Sequence, residues 1–339
     1  MEYRTLGTSD LQVSRVCLGT MTFGGQVDEP ASIEIINRSL ERGVNFFDTA
    51  NIYTRGQSEI IVGKALASHR SEVVLASKCG GAISPEPGDR GLKKATVLRH
   101  VDLSLQRLGT DYLDVLYMHF PDYDTSLEEM VDAMATLVQN GKFRYYGVSN
   151  FPAWQCAEMV HIAKEIGAPA PVVTQNVYNM ITRGLDDELL PCIEKFGIGL
   201  VAYNPLAGGL LTGKHSPEKY AEGSRFATDP GYARRYCKQG NFEAIQSMLG
   251  VAKELGISPA ELAYQWIMSK DYITSAICGV SKMSQLEANL DSCEAITVSE
   301  DALAVCDDAW LQIKGDYYNY FHTRESLTML PPPPEQGAK

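Results

Sequence analysis

Asn45–Tyr53 reads NFFDTANIY. A short, mostly apolar run ends in the carboxylate of Asp48, and Thr49, Ala50 and Asn51 break it. Tyr53 follows five residues after the aspartate. If the run is a strand, an acid and a phenol stand at one mouth of a sheet. Taken alone, an Asp at a strand end also serves as a turn or cap residue, and a nearby Tyr serves as half-buried packing. Two further runs change the weighing. Val73–Lys78 (VVLASK) closes on Lys78, and Val115–His119 (VLYMH) closes on His119. Ending three apolar strands in titratable groups is costly unless those ends meet.

The rest of the chain alternates in the same way. Glu2–Ser14 reads as a hairpin turning at Gly7–Asp10. Strands are predicted at Val16–Met21, Asn45–Asp48, Val73–Cys79, Leu113–His119, Arg144–Ser149, Val172–Asn176, Gly199–Asn204 and Ser275–Val280. Apolar residues at 3–4 spacing predict helices over Pro30–Arg42, Glu59–Ser68, Ala95–Leu108, Ser126–Asn140, Ala153–Ile166, Leu185–Phe196, Phe242–Leu255, Pro259–Ser269, Gln285–Ser292 and Glu300–Gln312. Ala207–Asn241 reads as a long irregular insert after strand seven. Pro331–Pro334 is an extended stretch, and about 325–339 reads as a frayed tail.

Short apolar strands separated by amphipathic helices are the mark of buried parallel strands. Eight repeats match a closed (β/α)8 barrel, the TIM-barrel fold, here as one domain over residues 1–339. The competitor is an open doubly wound sheet, which wants Gly-x-Gly-x-x-Gly after its first strand. The loop here is Gly19–Thr20–Met21–Thr22–Phe23–Gly24–Gly25, which does not fit. In a barrel, the strand C-termini converge on one face. Asp48, Lys78 and His119 then close strands two to four. Ser149–Asn150, Gln175, Tyr203 and Ser281 fall at the ends of strands five to eight. So many polar strand ends around one mouth argue for a site.

The chain has 339 residues, 45% hydrophobic and 21% charged, with a formal charge of −12. That is ordinary globular composition with enough apolar mass for a large core. No basic stripe stands out, so nucleic acid is not an expected partner. The eight cysteines form no Cys-x-x-Cys pair, and the six histidines have no ligand spacing. Free thiols and no metal site are expected, in a reducing compartment. The start, MEYRTLGTSD, lacks an apolar core segment, and no run is long enough to span a bilayer. A soluble cytoplasmic protein is expected, without membrane insertion, and an oligomer is compatible with the sequence.

One reaction that such a set would suit is reduction of a carbonyl by hydride, which makes an alkoxide that needs a proton. A free phenol, with a pKa of about 10, can donate near pH 7, which makes Tyr53 the natural acid. Lys78 beside it is expected to lower that pKa. Asp48 is expected to pair with Lys78, and His119 to orient the carbonyl oxygen. The hydride must come from a cofactor, since no side chain supplies one.

Several motifs together resemble the aldo-keto reductases over nearly the whole chain, from Tyr3 to about Trp310. They are RTLGTSDLQVSRVCLGTMTFGG, GVNFFDTANIYTRGQSEIIVGKAL, LASKCG, SLQRLGTDYLDVLYMHFPD, GKFRYYGVSNF, VTQNVYNM, YNPLAGGLLTGK and GVSKMSQLEANL. The variety of the motifs resembles the branch with voltage-gated potassium channel β subunits and bacterial relatives. The resemblance implies a catalytic tetrad of Asp48, Tyr53, Lys78 and His119, and NADPH/NADP+ as cofactor. It implies cofactor contacts from Gly19, Thr20, Met21 and Asp48, and from Ser149, Asn150 and Gln175 at the carboxamide. Tyr203 would stack on the nicotinamide. Asn204, Pro205, Leu206, Gly208, Leu210, Gly213 and Lys214 would run along the pyrophosphate, and Arg225, Gly279, Ser281, Gln285 and Asn289 around the adenosine end.

Substrate contacts are expected from Phe23, Tyr53, His119 and Phe120, where many relatives carry a polar or basic residue in place of Phe120. The glycines from Gly208 to Gly213 also read as a plain flexible loop, and Arg225 and Lys282 as solvated charges. Two functions follow: an NADPH-dependent reductase of aldehydes or ketones, sugar-like or aromatic, and a cofactor-bound regulatory subunit of a membrane complex. Tyr317–Phe321, with four aromatics in five residues, is expected to fold over the mouth, or else to pack on an outer helix or a neighbouring subunit.

Overall fold

Hydrophobic alternation builds the barrel from the inside out. The computed structural model describes residues 1–86, 88–294 and 297–315. The aromatic segment Tyr317–Phe321 and the tail from about 325 lie outside the described residues.

A hairpin of β1 (Tyr3–Thr5) and β2 (Gln12–Ser14) precedes eight strands. These are β3 (Val16–Gly19), β4 (Phe46–Asp48), β5 (Val74–Cys79), β6 (Leu113–Met118), β7 (Phe143–Ser149), β8 (Val173–Val177), β9 (Gly199–Tyr203) and β10 (Ser275–Gly279). They pair in parallel in chain order, and β10 returns to β3, so the sheet closes on itself. The (β/α)8 barrel expected from the alternation is the observed fold.

Successive residues of a strand face opposite sides of the sheet. Phe47, Leu75, Leu116 and Leu200 point outward into the larger apolar cluster, against the helices. Cys17, Phe46, Val74, Ala76, Val115, Tyr117, Val173 and Val201 point into the barrel. Leu6, Leu11 and Val13 of the hairpin join this inner cluster, so the hairpin plugs the end where the strands begin. Gly7 makes that fit. Its φ is +56°, and a Cβ there would lie 1.9 Å from the Val172 carbonyl oxygen. Only glycine adopts that conformation without strain in that space. In the wall, Gly147 is called for by space alone: a Cβ would lie 2.5 Å from the Val173 carbonyl oxygen and 2.8 Å from Tyr117 Cε1.

The ring helices are α1 (Glu29–Glu41), α2 (Gln57–Leu66), α3 (Lys94–Leu108), α4 (Leu127–Gln139), α5 (Ala153–Glu165) and α6 (Leu189–Phe196). Asp28 caps α1 by accepting from Ala31 N, and Ser126 caps α4 by accepting from Glu129 N. Such caps satisfy donors that have no partner within the helix. The α6 start differs from the expected Leu185. Pro191 sits in the first turn of the observed helix, and a start at Leu185 would have put it in the interior, where its ring clashes with the preceding turn.

The insert after β9 is less irregular than expected. A tight 3-10 turn at Ala207–Thr212 leads to α7 (Arg225–Thr228) and α8 (Pro230–Tyr236). The chain then runs through α9 (Gln239–Leu255) and α10 (Pro259–Met268) into β10, and ends with α11 (Met283–Glu294) and α12 (Glu300–Lys314). Among the described residues, no helix is long and apolar enough to cross a membrane.

Candidate active site

Every inward position at the C-terminal end of a strand continues an inner apolar column. Phe46 leads to Asp48, Ala76 to Lys78, Tyr117 to His119, Val173 to Gln175 and Val201 to Tyr203. The same two-residue period carries Cys17 to Gly19, Gly147 to Ser149 and Ile277 to Gly279. The barrel is therefore filled by apolar side chains below and polar ones at the mouth, as the pleat dictates.

Asp48, Lys78 and Tyr53 meet directly. Lys78 Nζ donates to Asp48 Oδ1, to the Thr49 carbonyl at 2.8 Å and to the Tyr53 hydroxyl at 3.1 Å. Those acceptors use all three ammonium protons. Lys78 is 1% exposed and Asp48 2%, so this is a fully desolvated ion pair. The other Asp48 oxygen accepts from Gln175 Nε2 at 2.8 Å. Because Lys78 donates to the Tyr53 oxygen, the phenol keeps its own proton for another acceptor.

Burial pushes the Lys78 ammonium pKa down, but the Asp48 carboxylate beside it, with Tyr53, outweighs burial and holds it above the ordinary value. Burial raises the Tyr53 phenol, while the Lys78 charge pulls it down. The net direction is upward. The expectation that Lys78 lowers the Tyr53 pKa is thus half right: the pull exists and burial exceeds it. Tyr53 stays protonated across the neutral range.

His119 stands edge-on to Tyr53, with ring centroids 5.9 Å apart and planes at 81°. Burial, with the Lys78 charge, holds its imidazole well below the ordinary pKa, so it is neutral near pH 7. Its Nδ1 has no hydrogen-bond partner among the described residues. Phe120 lies flat on the same ring at 4.1 Å and 8°, and is itself 46% exposed. Phe23, also expected at the substrate, has its ring fully buried in the outer core, and its carbonyl accepts from Thr54 Oγ1 at 2.7 Å. It supports the Tyr53 loop from behind.

The residues expected at the cofactor divide into groups. Gly19 ends β3, and Thr20 is buried, donating to the Asp48 carbonyl at 3.0 Å; Met21, by contrast, is exposed. Asn150 donates to Ser149 Oγ at 3.0 Å and to the His119 carbonyl at 3.2 Å, and accepts from the Tyr203 hydroxyl at 2.7 Å. Asn204 donates to the Tyr232 and Tyr236 hydroxyls at 2.6 and 3.1 Å. Pro205 and Leu206 lead into the turn Ala207–Thr212, whose Gly208 and Gly209 both have positive φ, as does Gly213. Leu210 is buried.

The Arg225 guanidinium lies 4.8 Å over the Tyr232 ring. Gln285 Oε1 accepts from Ser281 N and Oγ at 2.9 and 3.1 Å, just past Gly279. Asn289 turns inward and donates to Cys278 Sγ at 3.3 Å.

Three features escaped sequence reasoning. Ser58 Oγ lies 2.8 Å from Thr20 Oγ1 and 2.9 Å from Thr49 Oγ1, lacing the ends of β3 and β4 to α2. His215 accepts from Ala221 N at its Nδ1, which leaves Nε2 carrying the proton with no hydrogen-bond partner among the described residues. That Nε2 and Lys214 Nζ lie 3.6 and 4.0 Å from where a Cβ on Gly209 would sit, so the missing side chain leaves a cradle flanked by two cationic or donor groups. Finally, Thr54, Arg55, Asn150, Asn204 and Ala207 are non-glycine residues with positive φ. All lie in loops following β4, β7 and β9, and such strain costs roughly 1–3 kcal/mol each and clusters at functional sites. Motif reading has no signal for the first two, because serine and histidine are common; the strain is invisible without coordinates. Among the described residues no His, Cys, Asp and Glu group could hold a metal ion.

Residues 15–311 match the family model described as "Aldo/keto reductase family". The chain is 36% identical over 305 residues to "Probable voltage-gated potassium channel subunit beta" of Arabidopsis thaliana, covering 87% of this chain and 92% of the relative. It is 36% identical over 320 residues to "Uncharacterized oxidoreductase YrpG" of Bacillus subtilis, covering 91% and 95%. It is 36% identical over 322 residues to "Aflatoxin B1 aldehyde reductase member 2" of Rattus norvegicus, covering 90% and 86%.

Proposed function

Given that this chain belongs to the aldo/keto reductase family, whose chemistry is NADPH-linked carbonyl reduction, we propose that it reduces aldehydes or ketones to alcohols with Tyr53 as the proton donor. NADPH, when bound, supplies the hydride to the carbonyl carbon. The observation that carries this reading is the Asp48–Lys78–Tyr53 chain. Lys78 donates to the phenol oxygen, so the Tyr53 proton is directed to a carbonyl oxygen at the mouth. As that proton leaves, the fixed ammonium stabilises the phenolate without any reorganisation. His119, neutral by burial, would donate a hydrogen bond to the same oxygen. Positioned acid catalysis of this kind contributes roughly 10²–10⁴-fold.

The residues present fit a phosphorylated dinucleotide. The cradle over Gly209, flanked by Lys214 and His215, suits a pyrophosphate. Arg225 has no ion pair among the described residues and suits the 2′-phosphate. Asn150, Ser149 and Gln175 supply amide and hydroxyl groups beside the tetrad for the carboxamide, and Tyr203 offers a ring for the nicotinamide. Gln285 and Ser281 stand at the start of α11, and Asn289 lies one turn further on, for the adenosine. Phe120, half exposed over His119, favours a substrate with an apolar or aromatic face.

A second reading, a cofactor-bound regulatory subunit, draws on the similarity to the potassium channel subunits. Sustained NADPH oxidation with a generic aldehyde, abolished in Tyr53→Phe while NADPH binding persists, supports the reductase. Tyr53→Phe with wild-type turnover overturns Tyr53 as the acid, and NADPH binding without turnover on a broad carbonyl panel favours the subunit.

A further inference from the structure

Behind the wall of the barrel, on the helix side of β5, lies a buried ion pair that the tetrad does not include. Glu59, on α2, is completely buried. Its Oε1 accepts from Ser77 Oγ at 2.7 Å, and its Oε2 from Arg107 Nη1 at 3.1 Å. Ser77 is the β5 residue immediately before Lys78, and its side chain points outward where that of Lys78 points inward. Arg107, from the last turn of α3, also donates to the Asn51 carbonyl at 2.9 Å. The Asn51 N–H in turn donates to the Lys78 carbonyl at 3.2 Å. Arg107 further packs into the turn after Tyr53: a Cβ on Gly56 would lie 2.4 Å from its Cζ, and Gly56 takes a φ of +89°. Asn51 and Gly56 bracket Tyr53 in the chain.

One carboxylate therefore anchors both halves of the Lys78–Tyr53 pair. Through Ser77 it holds the strand that carries the ammonium. Through Arg107 it holds both ends of the turn that carries the phenol. A buried charge pair is weak evidence for stability, since apolar replacements often serve as well. Here it joins two segments whose relative placement sets a 3.1 Å contact. We propose that Glu59 and Arg107 are positioning residues that fix the distance between Lys78 Nζ and the Tyr53 hydroxyl, and so set the rate of proton delivery. This rests on the reading of Tyr53 as the acid.

The test compares Glu59→Gln, Arg107→Lys and Ser77→Ala with wild type and Tyr53→Phe. Ser77→Ala removes only the strand tether and leaves no unpaired charge, so it stays informative if the charge variants do not fold. Reactive-centre misplacement of about 1 Å costs roughly 10²-fold. The expected result is a kcat about tenfold or more below wild type, with aldehyde KM and NADPH affinity by fluorescence titration unchanged. Arg107 makes both contacts from Nη1, and Arg107→Lys keeps the charge but ends one bond short of that nitrogen, so its kcat should fall as well. Folded variants with wild-type kcat, or with kcat and NADPH affinity falling together, overturn the positioning role. An active Tyr53→Phe overturns the underlying assignment instead, whatever the three variants do.

Discussion

Gln175 on β8 donates to Asp48 Oδ2 on β4 at 2.8 Å, from the strand directly opposite in the closed ring. The carboxylate is thereby held from two sides, by the neighbouring strand through Lys78 and by the far strand through Gln175. The two supports differ in cost when lost. Asp48→Asn leaves the Lys78 ammonium buried without a counter-charge, which costs roughly 3–5 kcal/mol. Gln175→Leu removes one hydrogen bond to a charged group, worth roughly 1.5–3 kcal/mol. Urea denaturation at pH 7 should rank Asp48→Asn as the more damaging change. Equal or reversed ranking would show that Lys78 is not the charge that Asp48 compensates.

Acid should destabilise the fold through buried imidazoles before carboxylates protonate. His100 Nδ1 accepts from Gly80 N at 3.2 Å, and burial lowers its pKa from 6.5 to about 4. The unfolded chain therefore binds this proton first. The stability is fully present above pH 6.5 and is lost as pH falls toward about 4, by about 1.4 kcal/mol per pH unit. Between pH 7 and pH 5, wild type should lose about 2 kcal/mol more than His100→Gln. Identical losses in the two proteins would place the acid sensitivity elsewhere, with His119 next in line.

The phosphorylated end of the cofactor gives a separate handle. The Arg225 guanidinium lies over the Tyr232 ring and has no ion pair among the described residues. A charge-assisted hydrogen bond to the 2′-phosphate is worth roughly 1.5–3 kcal/mol, or about tenfold to a hundredfold in affinity. Arg225→Ala should weaken NADPH binding by that factor and leave NADH binding unchanged. A parallel loss for both nucleotides would mean that Arg225 supports the insert and does not read the phosphate.

Much of this was legible before any coordinates. The barrel follows from eight apolar runs between amphipathic helices, and Asp48, Lys78 and His119 stood out because each closes such a run. The inner alternation was not read, although Phe46–Asp48 and Ala76–Lys78 carry it, because both faces of these strands are buried and look uniformly apolar. The Glu59–Arg107 pair was out of reach for another reason. The residues lie 48 apart, and nothing in either helix marks a charge as inward. The sign of the Tyr53 shift was equally hidden, since it depends on how deeply the phenol is buried and not only on Lys78 beside it.

Phe120 ties substrate choice to the state of His119. Its ring lies parallel to the imidazole at 4.1 Å and covers one face of it, while its own outer face is open. Burial is the leading cause that keeps His119 below its ordinary pKa, and the Phe120 ring is part of that cover. Phe120→Ala should therefore raise the His119 pKa toward 6.5, which a nitrogen-15 NMR titration of the histidines reads directly. The same change removes an exposed aromatic face beside the acid. Stacked aromatic pairs contribute about 0.5–1.5 kcal/mol, so KM for aromatic aldehydes should rise roughly twofold to tenfold, while KM for small aliphatic aldehydes stays put. If the His119 midpoint is unmoved, Phe120 does not shield the imidazole. If both classes of aldehyde lose affinity equally, the ring shapes the mouth without selecting what enters it.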